Sequence, residues 1–151
     1  MKALVIYDSV FGNTEKIAKA ISDGLAEKGQ SRLVQAAKAT LADLKGIDLL
    51  VVGAPTQGGR PTPAVQEFLK TIPAGGLKGV KTATFDTRIT KGGTGTFAKI
   101  FGYAAKRIEP ELTQRGATHI TSEGFSVKGR RGPLQDGEVE RAREWAKKLV
   151  S

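Results

Sequence analysis

Residues 48–53 read Asp-Leu-Leu-Val-Val-Gly, an apolar run without the polar alternation of a half-exposed strand. A strand of that kind is covered on both faces, which is the situation of an inner strand in a parallel sheet. Parallel neighbours require long crossovers, and those crossovers are usually helices. The rest of the chain supplies them. Leu4, Val5, Ile6 and Tyr7 predict a first strand, and Ile17, Ile21 and Leu25 form a helical stripe closed by Gly29. Residues 31–36 read as a short second strand, and residues 39–45 as a weak helical segment stopped by Gly46. Beyond the central run, Pro61 and Pro63 suit a helix entrance, with Val65, Phe68, Leu69 and Ile72 on one face. Residues 80–85 give a fourth strand. A glycine-rich stretch at 91–95 then leads into a helix with Phe97, Phe101, Ala104, Ile108 and Leu112 inward. The last strand spans 119–127, interrupted near Gly124. Asp136 caps a final helix whose stripe is Val139, Ala142, Trp145, Ala146 and Leu149. These units predict an α/β fold, a doubly wound five-stranded parallel sheet with helices on both faces, in one domain over residues 1–151.

Sheets of this kind bind ligands beyond the carboxyl ends of their strands, where the winding reverses. The loops to inspect are therefore 8–14, 54–62 and 86–95. The first is the most informative. A strand empties through Asp8, Ser9, Val10, Phe11, Gly12, Asn13 and Thr14 directly into a helix. Free N–H groups, two hydroxyls and the positive end of the helix dipole converge there, which makes an anion pocket. The turn holds no Lys or Arg, and it is too short and too poor in glycine for a triphosphate loop or a dinucleotide fingerprint. Neutral donors alone suit one terminal phosphate monoester.

Composition removes several alternatives. With no cysteine there is no disulfide, thiol catalyst, cysteine-ligated zinc or iron–sulfur cluster, and the single histidine, His119, cannot build a metal site by itself. The amino-terminal apolar run is too short for a membrane span or a leader, so a cytoplasmic location is expected. The 24 Lys and Arg exceed the 15 Asp and Glu by nine, a balance that favours encounters with acidic partners. These charges are spread over several helices, with a local cluster at Lys128, Arg130 and Arg131; no aromatic-interleaved stripe points to nucleic acid.

The segment from Ser9 to Thr14, ending in Gly-Asn-Thr between a strand and a helix, resembles the phosphate loop of the flavodoxin family, [ST]-x-T-G-N-T. The resemblance extends to Phe85-Asp86-Thr87-Arg88 after the fourth strand and to Gly132-Pro133-Leu134 before the last helix. The length is similar to that of the short-chain members. The resemblance implies strand order 2-1-3-4-5, non-covalent FMN and electron transfer. It assigns the cofactor to Ser9, Val10, Phe11, Gly12, Asn13 and Thr14 at the phosphate. Pro55, Thr56, Gln57 and Gly58 flank the ring on one side, and Thr87 and Arg88 on the other. No protein acid, base, nucleophile or metal is called for, since the flavin carries the chemistry.

Several departures stand out. Gln57 occupies the usual place of a ring-stacking aromatic, and residues 87–93 contain none. Phe11 replaces the middle threonine of the loop and removes a hydroxyl, and Asp8 brings a carboxylate near the phosphate. Arg88 offers a cation to the pyrimidine edge of the ring, where it would favour the reduced, anionic flavin. The net positive charge, finally, points to a redox partner with an acidic surface, unlike the partners of the familiar acidic flavodoxins. A monomeric FMN-dependent electron carrier is the leading expectation. The alternatives are an FMN-dependent NAD(P)H or quinone reductase and a flavin-free interaction module on the same fold.

Overall fold

The computed structural model describes residues 1–57, 59–89 and 103–150. Five strands, β1 (Lys2–Tyr7), β2 (Gln30–Gln35), β3 (Leu49–Pro55), β4 (Lys81–Ile89) and β5 (Thr118–Val127), form one sheet in the order β2-β1-β3-β4-β5. Every pair is parallel. The helices among the described residues are α1 (Asn13–Ala26), α2 (Pro63–Thr71), α3 (Ala104–Thr113) and α4 (Glu138–Leu149). The architecture is the one predicted, and its reason is visible in the alternation along β1 and β3. Val5, Tyr7 and Val51 turn to one face, where Ile17, Ile21 and Leu25 of α1 meet Ala142 and Ala146 of α4. Leu4, Ile6, Leu50 and Val52 turn to the other, under Val65, Phe68 and Leu69 of α2 and Ile108 and Leu112 of α3. Both faces of the inner strands are thus buried, as the unbroken apolar run required.

The elements differ from the sequence reading in places that matter for the site. β4 runs to Ile89, four residues beyond its expected end, because Phe85 to Ile89 pair with Glu123 to Val127 of β5. Asp86, Thr87 and Arg88 therefore lie on a strand and not in a loop. The irregularity of β5 falls at Ile120, since Thr82 and Ala83 face His119 and Thr121; Gly124 pairs regularly with Asp86. Residues 39–45 are not an α-helix. A short 3₁₀ turn, Leu41–Leu44, stands there, closed by a reciprocal Thr40–Asp43 capping box, and another, Ala36–Lys38, precedes it. The first helix ends at Ala26, before Gly29. Asp136 does not cap the last helix. Gly137, at φ 82°, takes that position, and Asp136 is exposed, 3.8 Å from Lys128. Val139 faces solvent, so the buried stripe of α4 is carried by Ala142 and Ala146 with Trp145 and Leu149 partly buried. Phe97 and Phe101 lie outside the described residues.

Candidate functional site: the carboxyl end of the sheet

The loop between β1 and α1 is organised by its own polar groups. Gly12 precedes the helix at φ 91°, a left-handed conformation suited to glycine. The Ser9 hydroxyl oxygen accepts the N–H groups of Gly12 at 3.1 Å and Glu15 at 3.3 Å. With its lone pairs so occupied, its one proton is left to donate outward. Thr14 is buried and its hydroxyl lies 2.8 Å from that of Thr87, which ties the loop to the end of β4. One hydroxyl of that pair donates to the other, and the acceptor keeps a proton for a further acceptor. Asn13 is buried too, and its amide donates to the Arg131 carbonyl at 3.2 Å. Val10 and Phe11 point outward, 50% and 45% exposed. The Tyr7 hydroxyl donates to Glu15 at 2.9 Å; burial, with Glu15 beside it, holds the phenol above its ordinary range.

The second loop leaves β3 at Pro55. The Thr56 N–H donates to the Thr87 carbonyl at 3.0 Å, and the Thr56 hydroxyl oxygen accepts the Ala104 N–H at 3.1 Å, at the start of α3. Gln57 is exposed, and a two-way backbone ladder with Arg60 (2.8 and 2.9 Å) shapes the turn around Gly59. Gly58 lies outside the described residues.

The structure ties Arg88 to the protein itself. Its Nε and one terminal nitrogen donate to the two oxygens of Asp86 at 2.6 and 2.8 Å, and the guanidinium lies 3.5 Å from the centroid of the Tyr103 ring. A side chain at Gly124 would collide with it, so the glycine makes the slot. Asp86 is fully buried and also accepts the Ala105 N–H at 2.9 Å. Burial pushes its carboxyl up, against the pull of Arg88 and the Ala105 N–H. The free cation expected at the ring edge is instead half of a neutralised pair.

A cavity of about 80 Å³ brings the three loops together: Val10, Phe11, Asn13 and Thr14 meet Pro55 and Thr56, and Thr87, Arg88 and Ile89. A wider hollow of about 510 Å³ is walled by Val10, Phe11, Pro55, Thr56 and Gln57. Ser9 and Gly12 do not line either cavity; they hold the loop that does. Sequence reasoning missed one wall. Arg130, from the turn after β5, lines both hollows, so the pocket is not built of neutral groups alone. The signal was the basic cluster at 128–131, but the fifth loop is not at the winding reversal. It arrives because α4 packs against α1 and carries the preceding turn over the α1 amino terminus.

The donor set fits a phosphate monoester: an outward hydroxyl, a hydroxyl pair with a spare proton, and first-turn N–H groups at a helix terminus. A family model described as Flavodoxin matches residues 5–145. The chain belongs to the flavodoxin family. Members of this family bind flavin, usually FMN, and carry electrons. Among solved structures, oxidised Flavodoxin 1 from Bacillus cereus superposes with a TM-score of 0.78 at 20% identity, covering 99% of this chain and 97% of that one. Among curated relatives, an NAD(P)H dehydrogenase (quinone) of Methylocella silvestris is 29% identical over 161 residues, 90% of this chain and 78% of its own length. A flavodoxin of Aquifex aeolicus is 36% identical over 73 residues, 47% of this chain and 40% of its own length. No described helix is long and apolar enough to cross a membrane.

Proposed function

We propose that this flavodoxin-family chain holds FMN without a covalent bond and works as a cytoplasmic, monomeric electron carrier for a protein partner. The reading rests above all on the loop between β1 and α1, where hydroxyl protons and helix-terminal N–H groups are left over after the loop has satisfied itself. In that role Ser9, Asn13 and Thr14 fix the phosphate, the last two also anchoring the loop to the Arg131 carbonyl and Thr87. Val10 and Gly12 act through their backbone. Pro55, Thr56, Gln57 and Gly58 form one margin of the ring site, and Thr87 and Arg88 the other. Phe11, exposed at the rim of the wider hollow, is the aromatic surface on offer there. FMN supplies one- and two-electron transfer when bound, so the protein needs only to place it and limit its contact with water.

Absorbance spectra of the protein after FMN is added and the excess removed test this directly. A retained, resolved flavin band at one equivalent supports it, and a colourless protein refutes it. The Methylocella relative gives one specific reason for a second reading, an FMN-dependent NAD(P)H–quinone reductase, which the open hollow of about 510 Å³ has room to serve. Continuous NAD(P)H oxidation by the loaded protein with a quinone, and no partner present, favours the reductase; inertness favours the carrier.

A further inference from the structure

Residues 128–133 fold as a tight turn above the α1 amino terminus. The Lys128 N–H donates to the Pro133 carbonyl at 2.8 Å and the Gly132 N–H to the Gly129 carbonyl at 3.0 Å. The turn is pinned to the phosphate loop at its tip, where Asn13 donates to the Arg131 carbonyl. Gly132, at φ 97°, is required there, because a Cβ would lie 2.6 Å from the Asn13 amide atoms. This anchoring sorts three basic side chains. Lys128 pairs with Asp136, and the Arg131 guanidinium stands 5.7 Å from the Phe11 ring centroid. Arg130 enters the wall of both cavities, and no carboxylate pairs with it among the described residues.

We propose that Arg130 is a phosphate-selecting residue of this site, giving a charged donor to a pocket whose other donors are neutral or, as with Arg88, already paired. The proposal rests on the FMN reading above. A phosphate monoester carries close to two negative charges at neutral pH, and Glu15 stands in the first turn of the same helix. Neutral N–H and hydroxyl groups and the helix dipole can hold that anion, and a full positive charge in the wall adds to them. An arginine offers paired N–H groups in a planar fork and stays protonated at every relevant pH. Arg88, the other guanidinium in the wall, is already held by Asp86, so the turn after β5 is the source of a further charge.

Titration of the full-length protein with FMN and with riboflavin, followed by flavin fluorescence, separates the possibilities. Arg130→Gln is expected to weaken FMN binding about ten-fold while riboflavin affinity stays the same, and Arg130→Lys to fall between. The loss of FMN affinity with added salt should be shallower in Arg130→Gln than in the natural protein. Equal FMN affinity in the two proteins overturns the proposal, as does an equal loss of both flavins. If the natural protein binds neither flavin, the FMN reading itself falls, a result distinct from either of those.

Discussion

Asp86 shows how a single buried carboxylate organises one side of the site. It receives two N–H groups from Arg88 and one from Ala105, so it holds the β4 terminus and the first turn of α3 at once. Tyr103 and the absent side chain of Gly124 then leave the guanidinium one place to lie. Removing the carboxylate strands a half-buried cation and unties the helix start. Asp86→Asn should therefore lower stability by about 3 kcal/mol in urea titrations of the flavin-free protein, and a loss below about 1 kcal/mol would remove the pair from this role. Arg88 was legible in the sequence as a residue of the candidate site, and it lines the cavity there. Its partner was not, because an Asp two positions earlier in the chain reads as a loop residue until β5 is known to extend the pairing. Tyr103 belongs to the same arrangement, its ring centroid 3.5 Å from the guanidinium.

At the scale of elements, the strand order and the two-sided core were readable because period-2 and period-3.6 patterns alternate cleanly along the chain. What escaped was decided by pairing and packing between distant segments. β4 outran its apolar pattern because β5 offered partners, and the bulge at Ile120 left no mark in composition. The first three loops of the site were found by the rule of winding reversal. The fifth was hidden because it depends on α4 lying against α1. Helix α4 is also fastened at its own start. Glu138 is nearly buried, accepts the Ser126 N–H at 2.7 Å, and pairs with Arg141 at 2.8 Å. The Arg141 hydrogen bond, aided by the Ser126 N–H, holds its carboxyl below the ordinary glutamate range. A depressed carboxyl stabilises the fold above its unfolded value and ceases to do so as pH falls through the folded one. Glu138→Gln should accordingly cost about 1 kcal/mol at neutral pH, with the gap to the natural protein closing on acidification below that range. Parallel stability curves across the acid range would contradict this.

On the scale of the whole molecule, the excess of nine positive charges shapes encounters more than it shapes the fold. Arg60, Lys70 and Arg107 border a hollow of about 240 Å³ between α2 and α3, and Arg60 is joined by its backbone to Gln57 of the loop after β3. A basic surface so close to the site favours a partner with acidic groups around its own redox centre. The expected signature is an electron-transfer rate that falls steeply as ionic strength rises from about 0.01 to 0.15 M, measured by stopped flow with an acidic redox protein. A rate indifferent to salt, or one that rises with it, would point to a different docking face.

The bond from Asn13 to the Arg131 carbonyl joins positions 118 residues apart. During synthesis the loop is therefore made 118 residues before its anchor. Its cover is translated after all five strands, together with the helix that braces it. The cavity wall is thus complete only once the turn after β5 has been made, and a nascent chain that stops short of it lacks the anchor for Asn13.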